Sequence, residues 1–133
     1  MKRIMVDMSV TLIHHGHIRL LRAAKQYGSV VVALTTDAEI LSTKGYEPEL
    51  SYSSRCEIIQ SIRYVDEVVP CPWLIDESFL NEHNIDLLVH GTDNKNPIHH
   101  DRLLILPRTP LISSSIIRGR VLKAVSDLYL NKE

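Results

Sequence analysis

Short apolar runs alternate with amphipathic segments along the whole chain, and the alternation predicts strands linked by helices. Ile4 to Met8 is apolar and of strand length. After a polar turn, Ile18, Leu21 and Ala24 recur at near-helical spacing, with Leu20 and Tyr27 widening the apolar face. Gly28 is placed to end that helix as a C′ residue. Ser29 to Leu34 (SVVVAL) is dense in β-branched residues and apolar on both faces, which suits the middle of a parallel sheet. It ends in Thr35-Thr36-Asp37. Ala38 to Ser42 reads as a short helix, and Lys44 to Leu50, with Gly45 and Pro48, as a mobile loop. Ser53-Ser54 is expected to cap a helix carrying Ile58, Ile59 and Ile62. Glu67 to Val69 is a brief strand closed by Pro70 and Pro72. Ser78 to His83 reads as helix, Ile85 to His90 as a fourth strand and Leu103 to Leu106 as a fifth. Pro107 to Ile112 is a turn, and Ser113-Ser114-Ser115 opens a last helix reaching about Leu130.

Strands alternating with helices predict an α/β fold with a five-stranded parallel sheet, helices on both faces and right-handed crossovers. Ligands of such sheets bind beyond the carboxyl ends of the strands. Here those ends are Met8-Ser9, Thr36-Asp37, Gly91-Thr92-Asp93 and Arg108-Thr109. The length of 133 residues fits a single domain over 1–133. Lys+Arg 15 against Asp+Glu 16 leaves a formal net charge of −1, which argues against a strongly basic nucleic-acid binder and makes any anion site local. No apolar run approaches the ~18–20 residues of a membrane span. Met1-Lys2-Arg3 leads into the first strand without a small-residue cleavage site, so no signal peptide is expected. Cys56 and Cys71 form no metal-like or redox-like pair and read as two reduced thiols of a cytoplasmic protein.

The densest chemical signal is His14-His15-Gly16-His17, between the first strand and the first helix. Free N–H groups at a helix N-terminus favour an anion. Gly16 admits a ligand close to the backbone, and imidazoles add donors and positive charge near neutral pH. The turn is therefore a candidate polyphosphate site. Zinc is a competitor; His99-His100 supply further imidazoles, but no Cys or carboxylate stands at a recognisable ligand spacing. No protein-held metal is expected.

His14-His15-Gly16-His17 resembles the HxGH signature of the nucleotidyltransferase superfamily, and the rest of the chain agrees in order. Thr35-Thr36-Asp37 resembles the segment that ends the family's second strand. Arg55, followed by Ile62-Arg63-Tyr64-Val65-Asp66-Glu67-Val68, resembles a helix-to-strand segment of the small bacterial cytidylyltransferases. Gly91-Thr92-Asp93 resembles their glycine–acid strand end, and Arg108 to Ser115 their Arg-Thr-x-Gly-Ile-Ser-Thr-Thr signature. Within that family the chain resembles the glycerol-3-phosphate group, with the phosphocholine and phosphoethanolamine enzymes near it.

The resemblance implies a Rossmann-like domain, a homodimer, and attack by a substrate phosphate oxygen on the α-phosphorus of CTP with loss of pyrophosphate. It implies Mg²⁺ carried mainly by the triphosphate. His14 and His17 would meet the triphosphate and the transition state, with Lys44 and Arg108 completing the catalytic set. Met8, Ser9, Val10, Gly16, Thr36, Asp37, Arg63, Gly91, Asp93, Thr109, Ile112, Ser113 and Ser114 would line the nucleotide site. Asp37 and Asp93 are candidates for Mg²⁺, cytosine or ribose. Arg63 and Asp66 also read as a plain surface pair, and Trp73 as an acceptor wall or a packing residue.

Departures from the family pattern matter as well. Where most members read Gly-Thr-Phe-Asp, this chain reads Met8-Ser9-Val10-Thr11, and Leu111 replaces a glycine. The run Val6-Asp7-Met8-Ser9 resembles the variant in cytidylyltransferase domains of phosphonate pathways, which makes a hydroxyethyl- or aminoethyl-phosphonate a rival acceptor. HxGH occurs in adenylyltransferases too, so an ATP-using enzyme is a second reading. Met8 and Thr11 motivate a third, a nucleotide-binding domain without catalysis.

Overall fold

The computed structural model describes residues 1–130. β1 (Arg3–Met8) runs through the middle of a five-stranded sheet, and its interior residues Ile4, Met5 and Val6 are fully buried. β2 (Ser29–Thr35) and β3 (Glu67–Cys71) lie to one side, β4 (Leu87–His90) and β5 (Leu103–Ile105) to the other. The order is β3-β2-β1-β4-β5 and every pairing is parallel. The chain therefore builds outward from β1 in one direction and then crosses back to its other side. That reversal opens a crevice at the carboxyl ends of β1 and β4, where ligands of such sheets bind.

Period-two alternation divides the core into two faces. Ile4, Val6, Val30, Val32, Leu34 and Val89 meet Leu21 and Ala24 of α1 (His15–Lys25) and Ile59 of α3 (Tyr52–Gln60). On the other face Met5, Val31, Ala33 and Leu88 meet Ile75, Ile85 and Leu80, the last from α4 (Glu77–Glu82). α2 (Asp37–Lys44) buries Ile40 alone, and among the described residues none of α5 (Ser114–Leu130) belongs to either core.

Several expected boundaries move, each for a local reason. β3 runs through Pro70 to Cys71, with Pro70 opposite Leu34. An edge strand tolerates proline because one side of its backbone needs no partner. Ser51, not Ser53-Ser54, caps α3 by accepting from Ser54 N–H, and Asp76 caps α4 one residue earlier than expected. Lys44 is the last residue of α2, which closes on Gly45 in the left-handed region at φ 80°. Gly28 does not end α1: the helix caps at Gln26 in right-handed geometry. A Cβ on Gly28 would stand 2.2 Å from the Lys2 carbonyl oxygen, so this glycine serves a close backbone approach at the start of β2.

Candidate active site

The crevice is a cleft of about 720 Å³ at the carboxyl edge of the sheet. One wall is the N-terminus of α1. His14 is its N-cap, and its Nδ1 accepts from Gly16 N–H at 3.0 Å. His17 Nδ1 accepts in turn from His14 N–H at 3.1 Å, and the two rings sit 3.9 Å apart, centroid to centroid. A histidine pair thus forms the reciprocal cap that Ser and Glu usually form. A Cβ on Gly16 would come within 2.8 Å of the His14 ring, so glycine here makes room for that cap. An Nδ1 that accepts leaves the ring proton on Nε2, so each imidazole keeps one N–H donor. Burial first, then the neighbouring His14 and Arg108, lower the His17 pKa to about 4. Burial, His15 and Arg108 lower that of His14. The positive charge expected of these rings is therefore absent near neutral pH; they act as neutral donors.

The opposite wall is built where β1 and β4 run side by side. Asp7, 9% exposed, takes His90 Nδ1 at 2.6 Å on one carboxylate oxygen and donation from Asn96 Nδ2 at 3.0 Å on the other. Asn96 Oδ1 accepts from Ile75 N–H at 2.7 Å, so the group is tied to the backbone. Burial alone would lower the His90 pKa, but the hydrogen bond and charge of Asp7, with Asp93 beyond, raise it overall. His90 Nε2 lies 3.5 Å from Asp93 Oδ1, and Arg108 reaches Asp93 Oδ2 at 3.4 Å. Gly91 leaves room for that crossing: a Cβ there would stand 3.0 Å from Arg108 Cγ.

The remaining borders come from the ends of α2 and α5. Lys44 Nζ stands over the Trp73 ring, 5.3 Å from its centroid. Ser113 Oγ caps α5 by accepting from Ile116 N–H at 3.1 Å. Ser114 Oγ donates to Leu12 O at 2.8 Å and accepts from Leu12 N–H, so this hydroxyl ties α5 to the approach to α1. Ile112 packs beside Gly16.

Of the residues singled out from the sequence, Met8, Ser9, His14, Gly16, His17, Lys44, Gly91, Asp93, Arg108, Thr109, Ile112, Ser113 and Ser114 line this cleft. Val10, Thr36, Asp37 and Arg63 do not. Val10 is 3% exposed, packs in the core and holds a positive φ of 49°, which is costly for a β-branched residue. Thr36 caps α2. Asp37 is taken by Arg55 Nη2 at 2.6 Å and by Tyr52 N–H at 3.0 Å. Arg55 is itself buried, and its other nitrogens donate to the carbonyls of Ser9, Thr35 and Leu50; the pair closes the ends of β1 and β2. Arg63 turns to Tyr64, while Asp66 takes Lys25 and Val30 N–H, so these two are no pair. Asp7, His90, Asn96, Lys95 and Arg118 line the cleft and were not singled out. The signal available was a lone carboxylate inside an apolar strand and a histidine at a strand end.

Among the described residues, the one cluster of three metal-ligand side chains is His99, His100 and Asp101, all exposed and outside the cleft. Inside it, both carboxylates, Asp7 and Asp93, face cationic or donor groups. That donor set fits an ion held by phosphate oxygens and water. Both cysteines are free thiols, and burial pushes that of Cys71 up to about 12.

The geometry defines a nucleotide-sized cleft with donors converging on a helix N-terminus. Residues 11–120 match the cytidylyltransferase-like family, and the chain belongs to it. It is 39% identical to glycerol-3-phosphate cytidylyltransferase of Bacillus subtilis (strain 168), over 91% of this chain and 98% of that protein. It is 38% identical to ethanolamine-phosphate cytidylyltransferase of Mus musculus, over 68% of this chain and 23% of that longer protein. Its fold resembles that of a lipopolysaccharide core biosynthesis protein from Thermoplasma volcanium GSS1, with a TM-score of 0.62 at 20% identity, covering 93% of this chain and 88% of that one.

Proposed function

We propose that this chain is a cytidylyltransferase that moves CMP from CTP onto the phosphate of a small phosphorylated alcohol of the glycerol-3-phosphate kind. The observation that carries the reading is the convergence of two neutral Nε2–H donors, Arg108 and the α5 N-terminus on one cleft, in a chain of this family. An acceptor phosphate oxygen forms a bond to the α-phosphorus, the bond to the β-phosphate bridging oxygen breaks, and pyrophosphate leaves with that electron pair. A phosphate dianion is already a nucleophile, so no covalent enzyme intermediate is required. Negative charge gathers on the transferred phosphoryl and the leaving group, and preorganised donors stabilise it there. His14 and His17 donate from Nε2, and the approach of phosphate charge favours their protonation. Arg108 binds oxygens through its fork, and Lys44 leaves Trp73 to meet the phosphate at the reacting centre. Mg²⁺ would be held by the triphosphate and water rather than by Asp7 or Asp93, and would supply positive charge to the leaving pyrophosphate.

A phosphonate presents the same anionic oxygens, so hydroxyethyl- and aminoethyl-phosphonate belong in the test. Free thiols fit a reducing compartment, and we place the reaction in the cytoplasm. Among the described residues no helix is long and apolar enough to cross a membrane. We also propose a homodimer: Val121, Leu122, Val125 and Leu128 of α5 stand exposed on one helical face, a surface a second copy would cover. Light scattering in solution gives the mass directly.

The test of function is pyrophosphate release with Mg²⁺ and either CTP or ATP. The acceptors are glycerol-3-phosphate, phosphocholine, phosphoethanolamine and the two phosphonates. Turnover with CTP and glycerol-3-phosphate, lost in His17→Ala, is the expected result. Preference for ATP, or CTP binding with no turnover on any acceptor, would contradict the reading.

A further inference from the structure

One arginine outside the proposed catalytic set holds together three parts of the cleft. Arg118, on the second turn of α5, makes a two-pronged ion pair with Glu49: Nε to Oε1 at 2.7 Å and Nη2 to Oε2 at 2.8 Å. The same guanidinium lies over the Tyr46 ring, 5.0 Å from its centroid, and donates from Nη2 to Thr11 Oγ1 at 3.2 Å. Tyr46 and Glu49 belong to the segment 45–51 that links Lys44, the end of α2, to the first turn of α3. That segment starts on left-handed Gly45, contains Pro48, and is fixed at its far end by Arg55 donating to the Leu50 carbonyl. Without a tie in its middle, its ordering would rest on its two ends.

We propose that Arg118 is a positioning residue for Lys44: it clamps the 45–51 segment against α5 and so fixes where the α2 terminus presents its ammonium. An isolated surface ion pair would contribute little. This one differs in kind, because the contact is bidentate, the guanidinium lies over the Tyr46 ring, and a third bond reaches the buried Thr11. Thr11 matters through its lack of charge. A hydroxyl accepts one hydrogen bond and leaves the guanidinium's charge to Glu49, whereas a carboxylate at position 11 would compete for it. The threonine is thus suited to a clamp directed at the loop. α5 also carries Ser113 and Ser114 at its N-terminus, so one helix holds both the phosphate end of the cleft and the segment behind Lys44.

The inference rests on the role given to Lys44 above, and two readouts separate its failure from the failure of that role. The first needs no turnover: trypsin cleavage after Lys44 in the whole protein. Arg118→Gln and Glu49→Gln should each speed cleavage there several-fold, with other tryptic sites and the melting temperature little changed. The second is kinetic. Each variant should lower kcat about tenfold, inside the range that misplacement of a reacting group can cost, with KM for CTP nearly unchanged. In a Lys44→Ala background Arg118→Gln should then cost nothing more, because it acts through Lys44. The charge-reversed pair Arg118→Glu with Glu49→Arg should recover part of the loss. Unchanged cleavage after Lys44, or losses from Arg118→Gln and Lys44→Ala that simply multiply, would overturn the inference while leaving the proposed reaction intact. Wild-type kcat in Lys44→Ala would overturn both the lysine's role and the clamp's purpose.

Discussion

His17 and His90 face the same cleft from opposite walls, and the protein pushes their proton affinities in opposite directions. His17 is buried beside another imidazole and near Arg108, and its pKa falls to about 4. His90 is also largely buried, yet Asp7 at 2.6 Å overrides the desolvation and raises its pKa. The difference lies in what surrounds each ring: His17 is desolvated beside an imidazole and near a guanidinium, whereas His90 meets a carboxylate that favours its protonated form. One wall is thereby a set of neutral donors ready to meet phosphate charge; on the other the imidazole is held by a carboxylate.

The largest effect should come from removing the donor on the neutral wall. His17→Ala should lower turnover by about 10²–10³-fold, the usual loss for one preorganised donor at a transition state, as read by initial rates at saturating CTP. The His17 contribution to stability should also depend on pH. A folded pKa held below the ordinary 6.5 stabilises the fold above that value and loses its contribution as the pH falls toward about 4. Denaturant melts of wild type against His17→Asn should show that gap shrinking, by roughly 3 kcal/mol across the window.

His90 should behave the other way. Its raised folded pKa gives stability that is full below pH 6.5 and lost as the pH rises through the raised value. Asp7→Asn should abolish this slope, bring the His90 titration down in NMR, and cost about 2 kcal/mol, since it breaks a largely buried charged contact. An unchanged His90 titration in Asp7→Asn would erase the contrast between the walls. The smallest effect concerns the turn that leads into α5. Leu111 is 86% exposed at φ 64°, in the left-handed region, and Leu111→Gly should raise stability by about 0.5–1 kcal/mol in a thermal melt.

These walls differ equally in how legible they are in the sequence. His14, Gly16 and His17 are neighbours in the chain, so a local motif carries their whole geometry, cap included. Asp7 meets His90 across 83 positions and Asn96 across 89, and only strand register brings them together. Reading the strand ends from Met8 and from Gly91 begins one residue late; alternation places residues 7 and 90 on the face opposite Met8. The order of elements and the parallel sheet are legible because long apolar runs dominate them. Asp37 misleads for another reason. Its partner, Arg55, is a charged residue buried at the ends of two strands, and nothing in its own helix marks that placement. Gly28 looks like a helix stop, but its constraint comes from Lys2, twenty-six residues away.

A label-transfer experiment bears on the chemistry itself. CTP labelled with ³²P at the α-position, offered with glycerol-3-phosphate and Mg²⁺, should place the label in a CDP-linked alcohol, and γ-labelled CTP should place it in pyrophosphate. Label from the γ-position appearing on the acceptor, or α-label remaining in CTP while pyrophosphate is absent, would contradict cytidylyl transfer by this cleft.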